Sequence, residues 1–418
     1  MKKLRILALA CAFVAFASTQ AMAEGFAVYE WSARGIALGG ATVAREPDPS
    51  VVAANPAAIT GLEGKQMQLG LSIVKPYGRI KMHDGPKKGS TYKLKDSHWA
   101  MPGLYYTQKL NDRLSVGIGE FSRFGLGFTY PKSWAGTYNI YKISLSTASV
   151  TPVLAYKVTD KLSIGGGLEF MYLDITIQKT GAVPGLGTAD IDVTGQNLSL
   201  GASLAAHYQF NDKVAAGITY RSPVKHRVSG ESEIKPDAGI AGHPLYSQVF
   251  KDQDVSAKVT MPESVNMGIS LRPSKKLSLE LGAVWTRWSR FTNLDLYFES
   301  PVGLGYQASP KNWKNTWRFN IGVEYALTDW VDLRLGYVWD GCPVNDKHAE
   351  YLIPTDGRNI YSAGAGFKLT KALTLDLAYA FVDPRERTYE TGTATGVYAS
   401  KTYSSGTHIA SVSVGYKF

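Results

Sequence analysis

Histidine is the side chain best suited to acid–base or metal chemistry near neutral pH, and the chain has seven: His83, His98, His207, His226, His243, His348 and His408. None is spaced to bring two imidazoles onto one face of a strand or helix. No nucleophile, base and orienting partner fall together as an active site would need. The expectation is a protein that is not an enzyme and uses no metal or cofactor. The basic residues are dispersed rather than clustered, so no nucleic-acid partner is expected. What remains is a set of charges inside apolar runs: Arg318, Glu324, Asp332, Arg334 and Lys368. A charge on an enclosed face must be paired or must hold a ligand's charge, because an unpaired one is expensive. Arg318 is therefore a candidate for an anionic group, against the plainer reading of a wall lined with ion pairs.

The elements that carry these charges are strands. From about Gln66 onward the chain alternates with period two. Met67, Leu69, Leu71 and Ile73 share one face; Trp317, Phe319, Ile321 and Val323 alternate with Arg318, Asn320, Gly322 and Glu324. Six short polar turns separate such runs: Asn111–Arg113, Thr159–Lys161, Asn211–Lys213, Pro273–Lys276, Thr328–Trp330 and Thr370–Ala372. The intervening connections are longer, as at 75–97, 228–254 and 385–400. Six short turns, with both ends of the sheet on the same side, make seven hairpins and fourteen strands. Short turns on one side and long loops on the other are the pattern of an outer-membrane barrel, which must close to satisfy every backbone group. Aromatics near strand ends (Tyr105, Tyr106, Phe128, Tyr130, Tyr220, Trp285, Trp330, Tyr416) would form its interfacial girdles, and the chain ends in Phe418 on an amphipathic strand. A basic start, an apolar run from Ile6 to Ala17 and Ala21-Met22-Ala23 read as a signal peptide over residues 1–23; its removal lowers the net charge from +10 to +7. The location expected is the bacterial outer membrane.

Two stretches depart from this pattern. Residues 24–64 lack alternation, are rich in small residues with Pro and Gly, and are too few to hold a core alone. They are expected to plug the lumen of the barrel, which then spans residues 65–418. In the third strand, Leu114, Val116 and Ile118 face lipid, as do Phe124, Leu126 and Phe128 by the same parity. That parity also turns Glu120 and Ser122 outward and Phe121 and Arg123 inward. A carboxylate in the apolar band is unfavourable, so a kink or bulge that re-aims Glu120 is expected.

Gly25-Phe26, the run Gly39-Gly40-Ala41-Thr42-Val43-Ala44 and Asn55-Pro56-Ala57 resemble the hatch of the long-chain fatty acid transporter (FadL) family. Tyr220–Lys225, Met261-Pro262-Glu263, Trp285–Ser289 and Trp313–Arg318 resemble family segments in the same order, and the resemblance covers essentially the whole chain after residue 23. It implies a monomeric 14-stranded barrel with an N-terminal hatch, moving hydrophobic molecules without an energy source. The implied route runs from outer-loop capture to a lumenal pocket, then past a moving N-terminus and out sideways through the wall. The resemblance places a headgroup-binding lysine at Lys314, with Arg318 beyond it, a pocket-inserting phenylalanine at Phe26 and a hatch motif at Asn55, Pro56 and Ala57. It also sets the family's kinked strand at Glu120, Phe121, Ser122, Arg123, Phe124 and Gly125. Apolar residues in two outer loops (Val183, Leu186, Ile240, Leu245, Tyr246, Val249, Phe250) suit capture, because exposed apolar patches usually mark binding; packing against one another is the alternative. The partner expected is a long-chain fatty acid, with aromatic or other uncharged hydrocarbons as the second reading and a lipid-modifying enzyme as a remote one. A second family arginine has no match, which weakens the preference for an acid. Lys81, Lys87, Lys88, Lys93 and Lys95 of the first outer loop are candidates to meet lipopolysaccharide phosphates, against the plainer reading of a solvated loop.

Overall fold

The computed structural model describes residues 25–299, 304–354 and 356–418; the signal-peptide reading of residues 1–23 lies outside them. The fourteen strands expected from the turns are all present. They are β1 Lys65–Met82, β2 Trp99–Lys109, β3 in two pieces (Leu114–Phe121 and Gly125–Thr129), β4 Lys142–Lys157, β5 Leu162–Val183 and β6 Gly187–Asn211. They continue with β7 (Val214–Arg221, Val224–Pro236), β8 (Gln253–Met261, Ser264–Leu271), β9 Leu277–Thr286 and β10 Thr316–Ala326. The last four are β11 Val331–Asp340, β12 Arg358–Lys368, β13 Leu373–Pro384 and β14 Ser400–Lys417. Each pairs antiparallel with the next, and β14 returns to β1 from Gln66↔Lys417 to Met82↔Ser400, so the sheet closes on itself.

The six short turns share one chemistry. In each, the side-chain oxygen of its first Asn, Thr or Ser accepts a backbone N–H two residues on: Asn111 from Arg113, Thr159 from Lys161, Asn211 from Lys213, Ser274 from Lys276, Thr328 from Trp330 and Thr370 from Ala372. The barrel is apolar outside and polar inside. Leu69, Ile118, Leu204 and Leu335 are exposed on the outer face, while Gln68, Ser72, Thr151, Thr219, Asn266 and Ser413 are buried on the inner one. A belt of aromatics runs through Tyr220, Trp285 and Trp317, all level with Val265 or with each other across the ladder. Trp330, Tyr416 and Phe418 are exposed at the short-turn end. Three of the expected girdle residues are not in it: Tyr105, Phe128 and Tyr130 are buried, the first because its hydroxyl donates inward to the Trp31 carbonyl at 2.7 Å.

Residues 26–62 are packed against the inner wall. Helix α1 (Ala33–Ala37) is capped by Ser32, whose hydroxyl accepts the Gly35 N–H. Helix α2 (Val51–Ala54) leads into a 3-10 turn over Pro56–Gly61. Asn55 ties this turn to the wall: its Oδ1 accepts from Ala57 N–H, and its Nδ2 donates to Val43 O and Ala206 O. Inner-face glycine permits the close approach; a Cβ on Gly217 would collide with the Val43 carbonyl. At the short-turn end the segment is held by buried ions. Arg34 meets Glu324 at 2.9 Å, Arg334 meets the same carboxylate at 2.7 Å and Asp376 at 2.5 Å. Glu280 accepts the Val43 N–H at 2.7 Å and lies 3.6 Å from Arg45.

Candidate functional site

The site begins at Phe26, buried in a box of aromatic rings. Its ring centroid lies 4.8 Å from Trp288, 5.6 Å from Phe291, 5.6 Å from Trp313 and 6.0 Å from Phe124. Leu145, Leu173, Ile175, Val259, Leu294 and Leu352 line the wall beside it. Further along the same inner face of β5 stands Lys179, whose ammonium donates to Gln307 Oε1 at 2.7 Å. Close to it, buried Lys311 donates to Ser309 Oγ at 2.6 Å and is paired with Glu350. Two ammonium groups and one carboxylate thus gather beside the apolar well, joined to it where the Lys311 N–H donates to the Thr292 carbonyl, between Phe291 and Leu294.

Lys314 is not part of this arrangement. Its side chain is exposed, and its backbone N–H is bonded to Pro343 O at 2.8 Å. The lysine that enters the interior is Lys311, three residues earlier in a loop where no strand period fixes direction. Arg318 does point inward and is 2% exposed, but it does not reach the well. Its guanidinium sits 4.7 Å from the Tyr29 ring and 3.9 Å from Asp340.

The wall is interrupted beside Phe26. Strand β3 stays in register with β2 as far as Leu104↔Glu120 and with β4 as far as Phe121↔Ser149; it resumes at Gly125↔Ser146, one residue out of step. Its second piece pairs with β4 alone, so the ladder between β2 and β3 stops halfway up. The extra residue flips the parity. Phe124 and Phe128, expected to face lipid, are both 2% exposed and turned inward. Glu120 is not re-aimed: it stays opposite Leu104 and Val150, themselves 46% and 42% exposed, because the ladder is regular until Phe121. Phe121 packs inside on Tyr105 and Trp31, whose indole donates to Ser122 O at 2.8 Å. Arg123 turns inward to Glu169 at 2.8 Å.

The N-terminal residues mend the interruption. Val28 N–H donates to Arg123 O at 2.8 Å, and Gly125 N–H donates to Phe26 O at 2.9 Å, making Ala27 and Phe124 a bridge pair. Beyond this patch, a cavity of about 270 Å³ lies along the unpaired edges, with Trp99, Met101, Leu126, Gly127, Pro354 and Arg358 among its walls. The Trp99 indole lies across Gly127, where a Cβ would collide with it.

A family model described as "Outer membrane protein transport protein (OMPP1/FadL/TodX)" matches residues 14–418. The chain belongs to the OMPP1/FadL/TodX family. Among relatives, a long-chain fatty acid transport protein of Escherichia coli O6:H1 is 24% identical, with 92% of this chain and 93% of that protein covered. Two solved structures share the fold. A Pseudomonas aeruginosa FadL homologue superposes with a TM-score of 0.83 at 21% identity, covering 94% of this chain and all of that one. The toluene transporter TodX of P. putida gives 0.72 at 19% identity, covering 93% and 98%. This OMPP1/FadL/TodX protein is thus an outer-membrane barrel of a family of transporters for hydrophobic compounds.

The outer loops of this family member are packed rather than open. Ile240 is fully buried and Phe250 is 7% exposed, in a cluster with Ile191, Val193, Ile234, Val255 and Phe298. Val183, Leu186, Tyr246 and Val249 lean on that cluster, and Leu245 alone of the seven is exposed. The apolar residues of two long loops cover one another, so the expected capture patch is largely a loop core. Among the described residues no group of His, Cys, Asp and Glu is placed to hold a metal.

Among the interior cations that the sequence reading did not single out, three stand near the two cavities. Lys179 carries the alternation of Ile175 and Ile177 two residues further, a signal that was available. Arg358 shares the inward parity of Ile360 and was equally accessible. Lys311, outside any strand, had no such signal.

Proposed function

We propose that this protein carries long-chain fatty acids from the outer surface into the membrane by displacement of its own N-terminus. The observation that supports this most is the double role of residues 26–28. Phe26 fills the aromatic box while its carbonyl and the Val28 N–H complete the interrupted strand. A hydrophobe entering the box must expel Phe26, and losing Phe26 unpairs the break in β3. The gain from burying a chain, roughly 0.8 kcal/mol per CH₂, offsets the loss of the Phe26 contacts. Trp99, bridging the β2–β3 gap, is then the remaining cover over a sideways exit. Residues 24–64 act as the hatch, with Asn55, Pro56 and Ala57 fixing its lower part.

Lys179 and Lys311 are the headgroup contacts in this reading, because a carboxylate arriving at the well exchanges with Glu350. A second reading, uptake of aromatic hydrocarbons, draws support from the four rings around Phe26, which would suit a planar ligand. A binding titration with oleic acid and with toluene, on wild type and Lys311→Gln, separates the two. Oleate binding that weakens in the variant supports the acid; toluene binding indifferent to Lys311 transfers the same route to hydrocarbons. Lys81, Lys87, Lys88, Lys93 and Lys95 are exposed on the first outer loop and are offered as lipopolysaccharide phosphate contacts, on a protein acting as a monomer.

A further inference from the structure

The cavity along the β2–β3 gap is lined by apolar side chains and by hydroxyls such as Ser122, Thr147 and Thr402, and two charged residues are among the described ones that line it, Glu30 and Arg358. They belong to different parts of the molecule. Glu30 rides on the N-terminal segment, where its carboxylate accepts the Tyr29 N–H at 2.9 Å. Arg358 is fixed to the wall at the start of β12. Its Nε is bonded to Asp340 at 2.6 Å, and its Nη2 donates to Ala27 O at 3.5 Å. Asp340 is fully buried and lies 3.9 Å from Arg318, whose Nε and Nη1 have no hydrogen-bond partner. One carboxylate therefore serves two guanidinium groups, and the cluster carries a net positive charge beneath the N-terminal segment. If residues 26–30 withdraw, the cavity loses its only acid among those residues, and the Arg358 bond to Ala27 O is released in the same motion.

We propose that Arg358 is a second anion station, at the wall end of the route. The carboxylate of an anionic amphiphile sits on the guanidinium vacated by Ala27 while its chain lies in the cavity against the β2–β3 gap. A guanidinium suits this because its donor fork engages a carboxylate while still bonded to Asp340. The station would keep a charged headgroup paired after it leaves Lys179 and Lys311, where an unpaired carboxylate among apolar walls would otherwise oppose transit. It makes no demand of an uncharged passenger. The inference rests on the acid reading above.

The test compares uptake of oleic acid and oleyl alcohol into proteoliposomes. It uses the wild type, Arg358→Gln, in which Asp340 keeps Arg318 as its partner, Arg358→Lys, and Glu30→Gln. Arg358→Gln is expected to slow the acid by about tenfold, the size of one lost charge-assisted hydrogen bond, with the alcohol changed less than about twofold on the same scale. Arg358→Lys should recover part of the acid rate. Glu30→Gln, which keeps the acceptor for Tyr29, should raise the acid-to-alcohol ratio, and it decides the matter if Arg358→Gln does not fold. Acid and alcohol rates moving together, or neither moving, in folded variants overturns the station and leaves the transport reading standing. A wild type that moves neither compound overturns both.

Discussion

Replacing Phe26 by Ala tests the coupling between box and wall directly. Phe26 is 3% exposed and touches four rings within 6.0 Å. Truncating a buried Phe typically costs about 3–5 kcal/mol, here charged to the seated form of residues 26–28, since the barrel wall is held by its own ladders. Taking about 3 kcal/mol, at tenfold per 1.4 kcal/mol, the unseated population rises roughly a hundredfold. The assay is amide hydrogen exchange in the folded barrel. The N–H groups of Val28 and Gly125, which bond across the break, should exchange roughly a hundredfold faster, because exchange reports local opening. The Ile36 N–H, bonded to Ser32 O in the capped turn of α1, should keep its rate. A Gly125 rate near wild type would refute the coupling; equal acceleration at Ile36 would mean that the whole segment moves as one body.

Joining Ala27→Cys to Phe124→Cys, which stand opposite one another in a bridge whose hydrogen bonds flank them, suits a disulfide. It should abolish fatty-acid uptake when oxidised and restore it on reduction; uptake by a verified oxidised sample would contradict gating here. Lys311→Gln should weaken oleate binding by at least about tenfold, the worth of a hydrogen bond to a charged group, whereas Lys314→Ala should change it by less than about twofold, both read by titration. Burial pushes the Cys342 thiol up to about 12. Its thiolate is therefore almost absent at pH 8 in the folded protein, and maleimide should label it only after denaturation, as mass spectrometry would show.

Much of the wall was legible because each strand repeats one rule. Alternation and the six Asn, Thr or Ser turns gave the strand number, and the parity conflict around Glu120 pointed to the break in β3. The resolution of that conflict was not legible. A bulge moves every later residue to the opposite face, and the sequence does not say on which side of Glu120 it falls; Phe124 and Phe128 turned inward while Glu120 stayed out. The loops were the least readable part. Lys311 and Lys314 differ by three positions in a stretch without period, and whether Phe250 and Ile240 face water or one another depends on contacts between loops distant in sequence.

The fastening of Arg34, Arg45 and Val43 to Glu324 and Glu280 lies at the short-turn end of the barrel, away from Phe26. With that floor bonded, unseating the first residues opens no straight column of water through the molecule. On the sideways route proposed above, such a barrel would be electrically silent: in a voltage-clamped bilayer it would pass no steady current even while its passengers cross. On that route the envelope would keep its seal against small ions and polar toxins throughout each delivery, and whatever collects the cargo would have to draw it from a membrane leaflet rather than from the periplasmic fluid.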